Sequence, residues 1–277
     1  MHRTISRDSI NRDTTLCMSL SGRPSNIGTR FHNFLYEELG LDFLYKAFTT
    51  TDLPGAIAGV RALGVRGCGV SMPFKEACIE FVDVMHESAS AISSVNTIVN
   101  ESGTLHAYNT DYEAVARLLT EHEVPADFDV AVAGSGGMAK AVVAALRDSG
   151  FRSVTVVARN PTTGPALAEQ YGFAWRAHLG DLRPRLLVNA TPTGMAGGPE
   201  EGQSPFDADA IGRSEVVFDV VAMPPDTPLI RAAAAAGKPT ITGSEVIALQ
   251  AAAQFALYTG VTPSADQVRR ASEYSRS

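Results

Sequence analysis

Apolar positions along the chain keep two rhythms that trade places repeatedly: short, dense or alternating runs, as strands require, and longer stretches with apolar residues three and four apart, as helices require. Leu16–Leu20 reads as a first strand, Ser21–Thr29 as a loop, and Phe31–Leu39 as an amphipathic helix stopped by Gly40. Phe43–Phe48 is an aromatic-rich strand, Leu53–Leu63 a helix closed by Gly64, and Gly67–Val70 a short strand running into Ser71–Lys75. From Lys75 to about Met85 the pattern is helical again. Thr97–Asn100 and Thr104–Tyr108 flank Glu101-Ser102-Gly103 as a hairpin. This half therefore predicts an α/β domain with a mainly parallel sheet and an antiparallel edge.

The second half keeps the alternation. Thr110-Asp111 opens a helix, Tyr112–Glu121, which leads to Asp129–Gly150: a buried strand, a glycine-rich turn, and a helix apolar nearly all round. A strand ending at Arg159, a helix up to Tyr171, the strands Leu186–Asn189 and Val216–Asp219, an alanine-rich helix over 229–236 and a long helix over Glu245–Tyr258 follow. Gly197–Ser204 is loop-like.

The turn fits G-x-G-x-x-A. Gly134 lets the chain reverse sharply, Gly136 lets a pyrophosphate approach the backbone, and Ala139 lets helix and strand pack closely. The N–H groups of Ser135, Gly137 and Met138 lie where a helix start faces an anion. At the end of the next strand, twenty-five residues past Gly134, stands Arg159. An NAD-specific site wants an acid there for the ribose hydroxyls, whereas a guanidinium fork suits a 2′-phosphate, so the reading is NADP over NAD. The bland alternative is a glycine loop before a helix; the strand before, helix after and Arg159 at the proper distance weigh against it.

Composition narrows the class. With 277 residues the chain forms one large or two moderate domains. Its 45% hydrophobic and 19% charged content is that of a globular protein. A net charge of −7 argues against nucleic-acid or anionic-membrane partners. No apolar run is long enough to span a bilayer, and the polar start Met1–Asp8 lacks a signal-peptide core, so a cytoplasmic protein is expected. Cys17, Cys68 and Cys78 form no C-x-x-C pair, which points to reduced thiols rather than disulfides or zinc.

Two residues of the first half invite a catalytic reading. Lys75 stands at a predicted helix start, where the dipole disfavours an ammonium, so it is a candidate general base toward an alcohol; a solvated surface lysine is the alternative. Asp111 is a candidate partner or simply a helix cap after Asn109-Thr110.

Several motifs together then carry a resemblance: Ser71-Met-Pro-Phe-Lys75, Val95-Asn96-Thr97, Tyr108-Asn109-Thr110-Asp111, Asn189-Ala-Thr191-Pro-Thr-Gly194-Met195 and Gln250–Phe255. In order and spacing, from about Leu16 to Pro263, the chain resembles the shikimate/quinate dehydrogenase family. The resemblance implies an N-terminal α/β substrate domain over residues 1–110, a Rossmann-type NADP domain over 111–243, final helices from about 244 to 277 packing back toward the first domain, and a cleft between the two. It implies an enzyme of aromatic amino acid biosynthesis, on the chorismate pathway, interconverting shikimate and 3-dehydroshikimate with NADP. Lys75 and Asp111 would be the catalytic pair, with Asn96 and Gln250 on the ring hydroxyls. Gly134, Ser135, Gly136, Gly137, Met138, Arg159, Asn160, Thr191 and Val220 would bind NADP, and Gly243 would lie near the nicotinamide.

Departures from the family pattern fall on the substrate side. The twin-serine carboxylate grip is displaced, leaving Ser19 with Ser21, or Ser25 with Thr29, as candidates. The usual Asn-Val-Thr is Gly69-Val70-Ser71, with Ser71 alone keeping a hydroxyl. A customary tyrosine is Ala222, and a second basic cofactor residue is Thr163. This pattern resembles the shikimate dehydrogenase-like subclass. Quinate or an amino analogue remain alternative substrates, and a non-catalytic NADP-binding regulator or a folate dehydrogenase of similar design alternative functions. Monomer and homodimer are both compatible with the chain.

Overall fold

The computed structural model describes residues 10–276; the polar start Met1–Asp8 lies outside them. The chain divides into two compact units, one built from residues up to Thr110 and from Ala248 onward, the other from Asp111–Ile247.

In the first unit the chain runs β1 (Thr15–Leu20), α1 (Asn26–Glu38), β2 (Phe43–Phe48), α2 (Leu53–Ala62), β3 (Gly67–Val70), α3 (Phe74–Ala77), a 3-10 turn (Ile79–Phe81), β4 (Val84–Met85), α4 (Glu87–Ser90), β5 (Thr97–Glu101) and β6 (Thr104–Tyr108). These strands form a six-stranded sheet in the order β2-β1-β3-β5-β6-β4. Successive residues of β1 face opposite ways, as a strand's two-residue period dictates. Leu16, Met18 and Leu20 join one core with Ile57, Val60 and Ile98, and Cys17 joins the other with Phe31, Leu35, Tyr36 and Tyr45. Ser102 and Gly103, both at positive φ, make the tight turn between β5 and β6.

Three expectations are corrected here. The antiparallel strand is not at an edge: β5 runs antiparallel to both β3 and β6 inside the sheet, and the edge strand β4 is parallel to β6. The helix expected over Lys75–Met85 is instead one turn, a 3-10 turn and a strand. Asp83 accounts for that break, because its carboxylate binds Arg61 at 2.6 Å and the Leu105 N–H at 2.7 Å, drawing the segment out to the sheet edge. Helix α1 begins at Asn26, within the expected loop, because Ser25 takes the extended backbone of an N-cap and Gly28 is accommodated in the first turn beside Tyr45.

The chain passes to the second unit within α5 (Thr110–Glu121) and continues as β7 (Val130–Ala133), α6 (Gly137–Asp148), β8 (Val154–Val157), α7 (Thr163–Tyr171), β9 (Ala174–Arg176), β10 (Leu186–Asn189), α8 (Ala208–Arg213), β11 (Val216–Asp219), α9 (Pro228–Ala235) and β12 (Thr240–Thr242). These strands form an all-parallel sheet in the order β12-β11-β10-β7-β8-β9. That order reverses direction between β7 and β10, which is the switch point of a doubly wound sheet, and ligands of such sheets bind outside the strand ends there. β8 stops at Val157, two residues short of Arg159, so Arg159 stands past the C-terminal end of the strand rather than in it. The chain returns to the first unit along α10 (Gly243–Thr259) and ends in α11 (Ala265–Arg276). There α11 packs on α1, with Arg270 bound to Glu38 at 2.6 Å.

Candidate active site

In the first unit, polar side chains from three distant stretches converge. Asn96 is buried; its Oδ1 accepts from the Thr110 N–H at 2.8 Å and the Thr97 hydroxyl at 2.7 Å, and its Nδ2 donates to the Thr110 hydroxyl at 2.9 Å. Thr110 Oγ1 in turn donates to Gln250 Oε1 at 3.4 Å. One turn further along α10, Gln254 donates to Thr97 Oγ1 at 2.9 Å and to the Asn96 carbonyl at 3.2 Å. The structure thus joins Asn96 and Gln250, both expected at the site, through Thr110. It also adds Gln254, which lies within the Gln250–Phe255 motif, one helical turn from Gln250, but is given no role by the sequence.

Lys75 is half-buried in α3, and its carbonyl accepts from the Val95 N–H at 2.8 Å, which ties the lysine loop to the Asn96 segment. Because α3 has four residues, the aligned peptides on which the helix-start argument for Lys75 rested are not there. Asp111 is buried in the first turn of α5, inside the helix, so the N-cap alternative is not its role. Ser71 is exposed at the end of β3, where its N–H donates to the Leu20 carbonyl.

The two serine pairs are in different situations. Ser19 shares a hydrogen bond with the Tyr45 hydroxyl, and the Ser21 hydroxyl accepts from the Arg23 N–H at 3.1 Å. Ser25 is exposed at the start of α1 without a side-chain capping bond, and Thr29 is half-buried within that helix. Gly69 stands where the resemblance leads one to expect asparagine. A Cβ there would lie 2.9 Å from the Tyr45 hydroxyl and 3.6 Å from Gln254 Nε2, so Tyr45 and Gln254 occupy that space.

The second unit holds the glycine turn. Gly134 has φ +115, and a Cβ on it would come 2.9 Å from the Ala190 carbonyl, so the crossing of β7 and β10 admits no side chain. Gly136 and Gly137 face open space. Helix α6 starts here with no side-chain cap and no acid in its first turn, leaving N–H groups of Gly137 and Met138 toward that space. Ser135 bonds Thr163 at 2.7 Å. Thr191 donates to Asn189 Oδ1 at 2.6 Å beside the turn. At Gly243 a Cβ would fall 2.3 Å from the Val221 carbonyl carbon and 2.5 Å from the Val220 oxygen, so α10 can start there only with glycine.

Past β8, Asn160 folds its side chain back onto the N–H groups of Thr162 and Thr163, opening α7. Arg159, with 79% of its side chain exposed, meets Glu200 Oε1 at 3.3 Å. Glu200 was not among the residues expected from sequence, since nothing in a loop of glycines and acids marks which acid turns inward. Its other oxygen accepts from Thr193 Oγ1 at 2.6 Å, and its carboxyl is held below the usual range, first by that hydroxyl and then by Arg159. A buried network missed in the same way supports the loop: Asn189 Nδ2 donates to Asp219 at 2.9 Å and to the Thr193 carbonyl at 3.1 Å, and Thr227 donates to Asp219 at 2.6 Å.

Comparison with known proteins places this arrangement. Residues 26–98 match the family model of the shikimate dehydrogenase substrate binding domain. A shikimate dehydrogenase-like protein of Haemophilus influenzae is 56% identical over 267 residues, 96% of this chain and 98% of its own. The shikimate 5-dehydrogenase of Thermus thermophilus, solved with NADP(H) and shikimate, superposes with a TM-score of 0.85 at 32% identity, over 94% of this chain and 99% of that one. A quinate dehydrogenase of Corynebacterium glutamicum, solved with NAD, gives 0.85 at 27% identity, over 94% and 98%. A substrate-domain match, relatives sharing up to 56% of residues across nearly the whole chain, and a doubly wound sheet with its glycine turn at the switch point together make this chain a member of the shikimate dehydrogenase family.

Proposed function

We propose that the protein is an NADP-dependent oxidoreductase interconverting shikimate, or a close cyclic hydroxy acid, with the corresponding ketone. The observation that carries this reading is the hydrogen-bonded set Asn96–Thr110–Gln250, which keeps polar residues of the family's substrate motifs tied to the start of the helix bearing Asp111. Asn96 and Gln250 would hold ring hydroxyls, with Ser71 nearby in the chain as a further donor. The carboxylate would rest on Thr29 and the uncapped α1 start at Ser25, because the hydroxyls of Ser19 and Ser21 already have partners within the protein.

NADP fits the second unit on two grounds: open space before an uncapped helix start, and an exposed guanidinium past β8. Gly134–Met138 would take the pyrophosphate, Arg159 and Asn160 the adenosine ribose and its 2′-phosphate, and Thr191, Val220 and Gly243 the nicotinamide end. When bound, NADP supplies the nicotinamide carbon that accepts or gives the hydride. Lys75 takes the proton from the substrate hydroxyl during oxidation and returns it during reduction, and Asp111 orients the same hydroxyl. Family relatives of this kind point to a cytoplasmic biosynthetic role. Among the described residues, no helix is long and apolar enough to cross a membrane.

The test is the initial rate of NADPH formation with shikimate and with quinate, each against NADP⁺ and NAD⁺. K75A is expected to lower kcat by about 10²- to 10⁴-fold, the range for losing a general base, with dinucleotide affinity retained. Turnover that survives K75A would remove Lys75 from the mechanism. The internal engagement of Ser19 and Ser21 favours a second reading, a dinucleotide-binding protein without turnover; NADP⁺ binding with no rate on either acid would rule out both as substrates and leave another ligand or none.

A further inference from the structure

Glu200 is an unusual neighbour for a site that is to grip a phosphate. Its backbone is fixed, since its carbonyl accepts from the Gly194 N–H at 2.9 Å and the Gln203 N–H at 3.1 Å. Its side chain is fixed too, through the 2.6 Å bond from Thr193 Oγ1. Thr193 is itself buried, and its carbonyl is held by Asn189, which is bonded to Asp219. The carboxylate is therefore built in place, and Arg159, with most of its side chain in solvent, is the less anchored member of the 3.3 Å pair. A flexible surface acid would swing aside for an incoming anion; this one has two anchors holding it where it is.

We infer that Glu200 is a specificity-determining residue for the dinucleotide: an anchored carboxylate that competes with the adenosine 2′-phosphate for the Arg159 guanidinium and so narrows the preference for NADP over NAD. This rests on the dinucleotide reading given above. The physical reason is like-charge repulsion. A 2′-phosphate gripped by Arg159 must either displace the Glu200 carboxylate or sit against it, and both weaken its binding. A ribose carrying only hydroxyls meets no such penalty, because a carboxylate accepts hydrogen bonds from hydroxyls. The loop bearing Glu200 thus restores part of what an acid after β8 would provide, from the other side of the switch point.

The experiment is a titration of NADP⁺ and of NAD⁺ into the wild-type protein, E200Q and T193V, read by the fluorescence of Trp175. That residue is the chain's sole tryptophan, and its indole N–H donates to the Ala158 carbonyl at 3.1 Å, one residue from Arg159. E200Q keeps the shape and the bond from Thr193 while removing the charge. It is expected to tighten NADP⁺ by about five- to tenfold and to leave NAD⁺ within about twofold, with the gain shrinking at high salt. T193V, which frees the carboxylate to move, is expected to shift the ratio the same way by less. An unchanged NADP⁺/NAD⁺ ratio in E200Q overturns the inference. So does weaker NADP⁺ binding, which would mean that the pair presets Arg159 for the phosphate. If the wild type takes only NAD⁺ and E200Q gains NADP⁺, the inference stands and the NADP assignment falls. Binding of neither dinucleotide by any of the three proteins overturns both.

Discussion

His32 lies wholly buried among rings, stacked on Tyr45 with centroids 4.3 Å apart and close to Tyr36, Phe255 and Tyr258. Burial pushes its imidazole down to about 3, opposed by a side-chain hydrogen bond with Gln254. In the unfolded chain the same group takes up a proton near its ordinary value of about 6.5. Because the native state binds that proton only near pH 3, the stability His32 contributes is complete above about pH 6.5 and is lost as pH falls from there toward 3. The loss approaches about 1.4 kcal/mol per pH unit for such a group. Urea unfolding at about pH 7 and about pH 5 should show a smaller fall in stability for H32F than for the wild type; equal falls would mean that carboxylates alone set the acid limit. In the sequence His32 is one residue of the amphipathic helix read over Phe31–Leu39. Its chemistry follows from three aromatic residues that the chain brings from β2 and α10, which no local pattern announces.

Elements explain which expectations survived. The second unit was the more legible, because a parallel strand buried on both faces shows as a dense apolar run, and β7, β10 and β11 do. The short edge strands β9 and β12 escaped because three residues carry no period. In the first unit, Lys75–Met85 kept helical spacing yet yielded to Asp83, whose bonds to Arg61 and Leu105 are tertiary. Among site residues, Asn96, Gln250 and the Gly134 turn stood in recognisable motifs, whereas Glu200 and Asp219 are defined by partners distant in sequence. Gly243 allows a sharp test of element packing. A Cβ there meets the backbone of Val220 and Val221, which cannot turn aside as a side chain would. G243A should therefore cost about 3 kcal/mol or more in denaturant unfolding and weaken NADP⁺ binding; a change below about 0.5 kcal/mol would show that the α10 start shifts without cost.

At the scale of the molecule, each unit carries its own native probe. Cys17, Cys68 and Cys78 all lie in the first unit and are buried, with burial raising Cys17 to about 11, Cys78 to about 12 and Cys68 further still. Trp175 lies in the second. The thiols should resist alkylation until the first unit opens, while a saturating dinucleotide should move the Trp175 transition to higher denaturant, by about 2.7 kcal/mol at a hundredfold excess over Kd. Rapid labelling of the native protein, or an unmoved Trp175 transition, would contradict the respective assignment. The space beside Gly69 has a different kind of consequence, one of order. Placing asparagine at Gly69 drives its Cβ against a Tyr45 hydroxyl whose ring is stacked on His32. A chain bearing Tyr45 can take up an amide at this position only after the tyrosine has changed, so the order of the two substitutions is constrained.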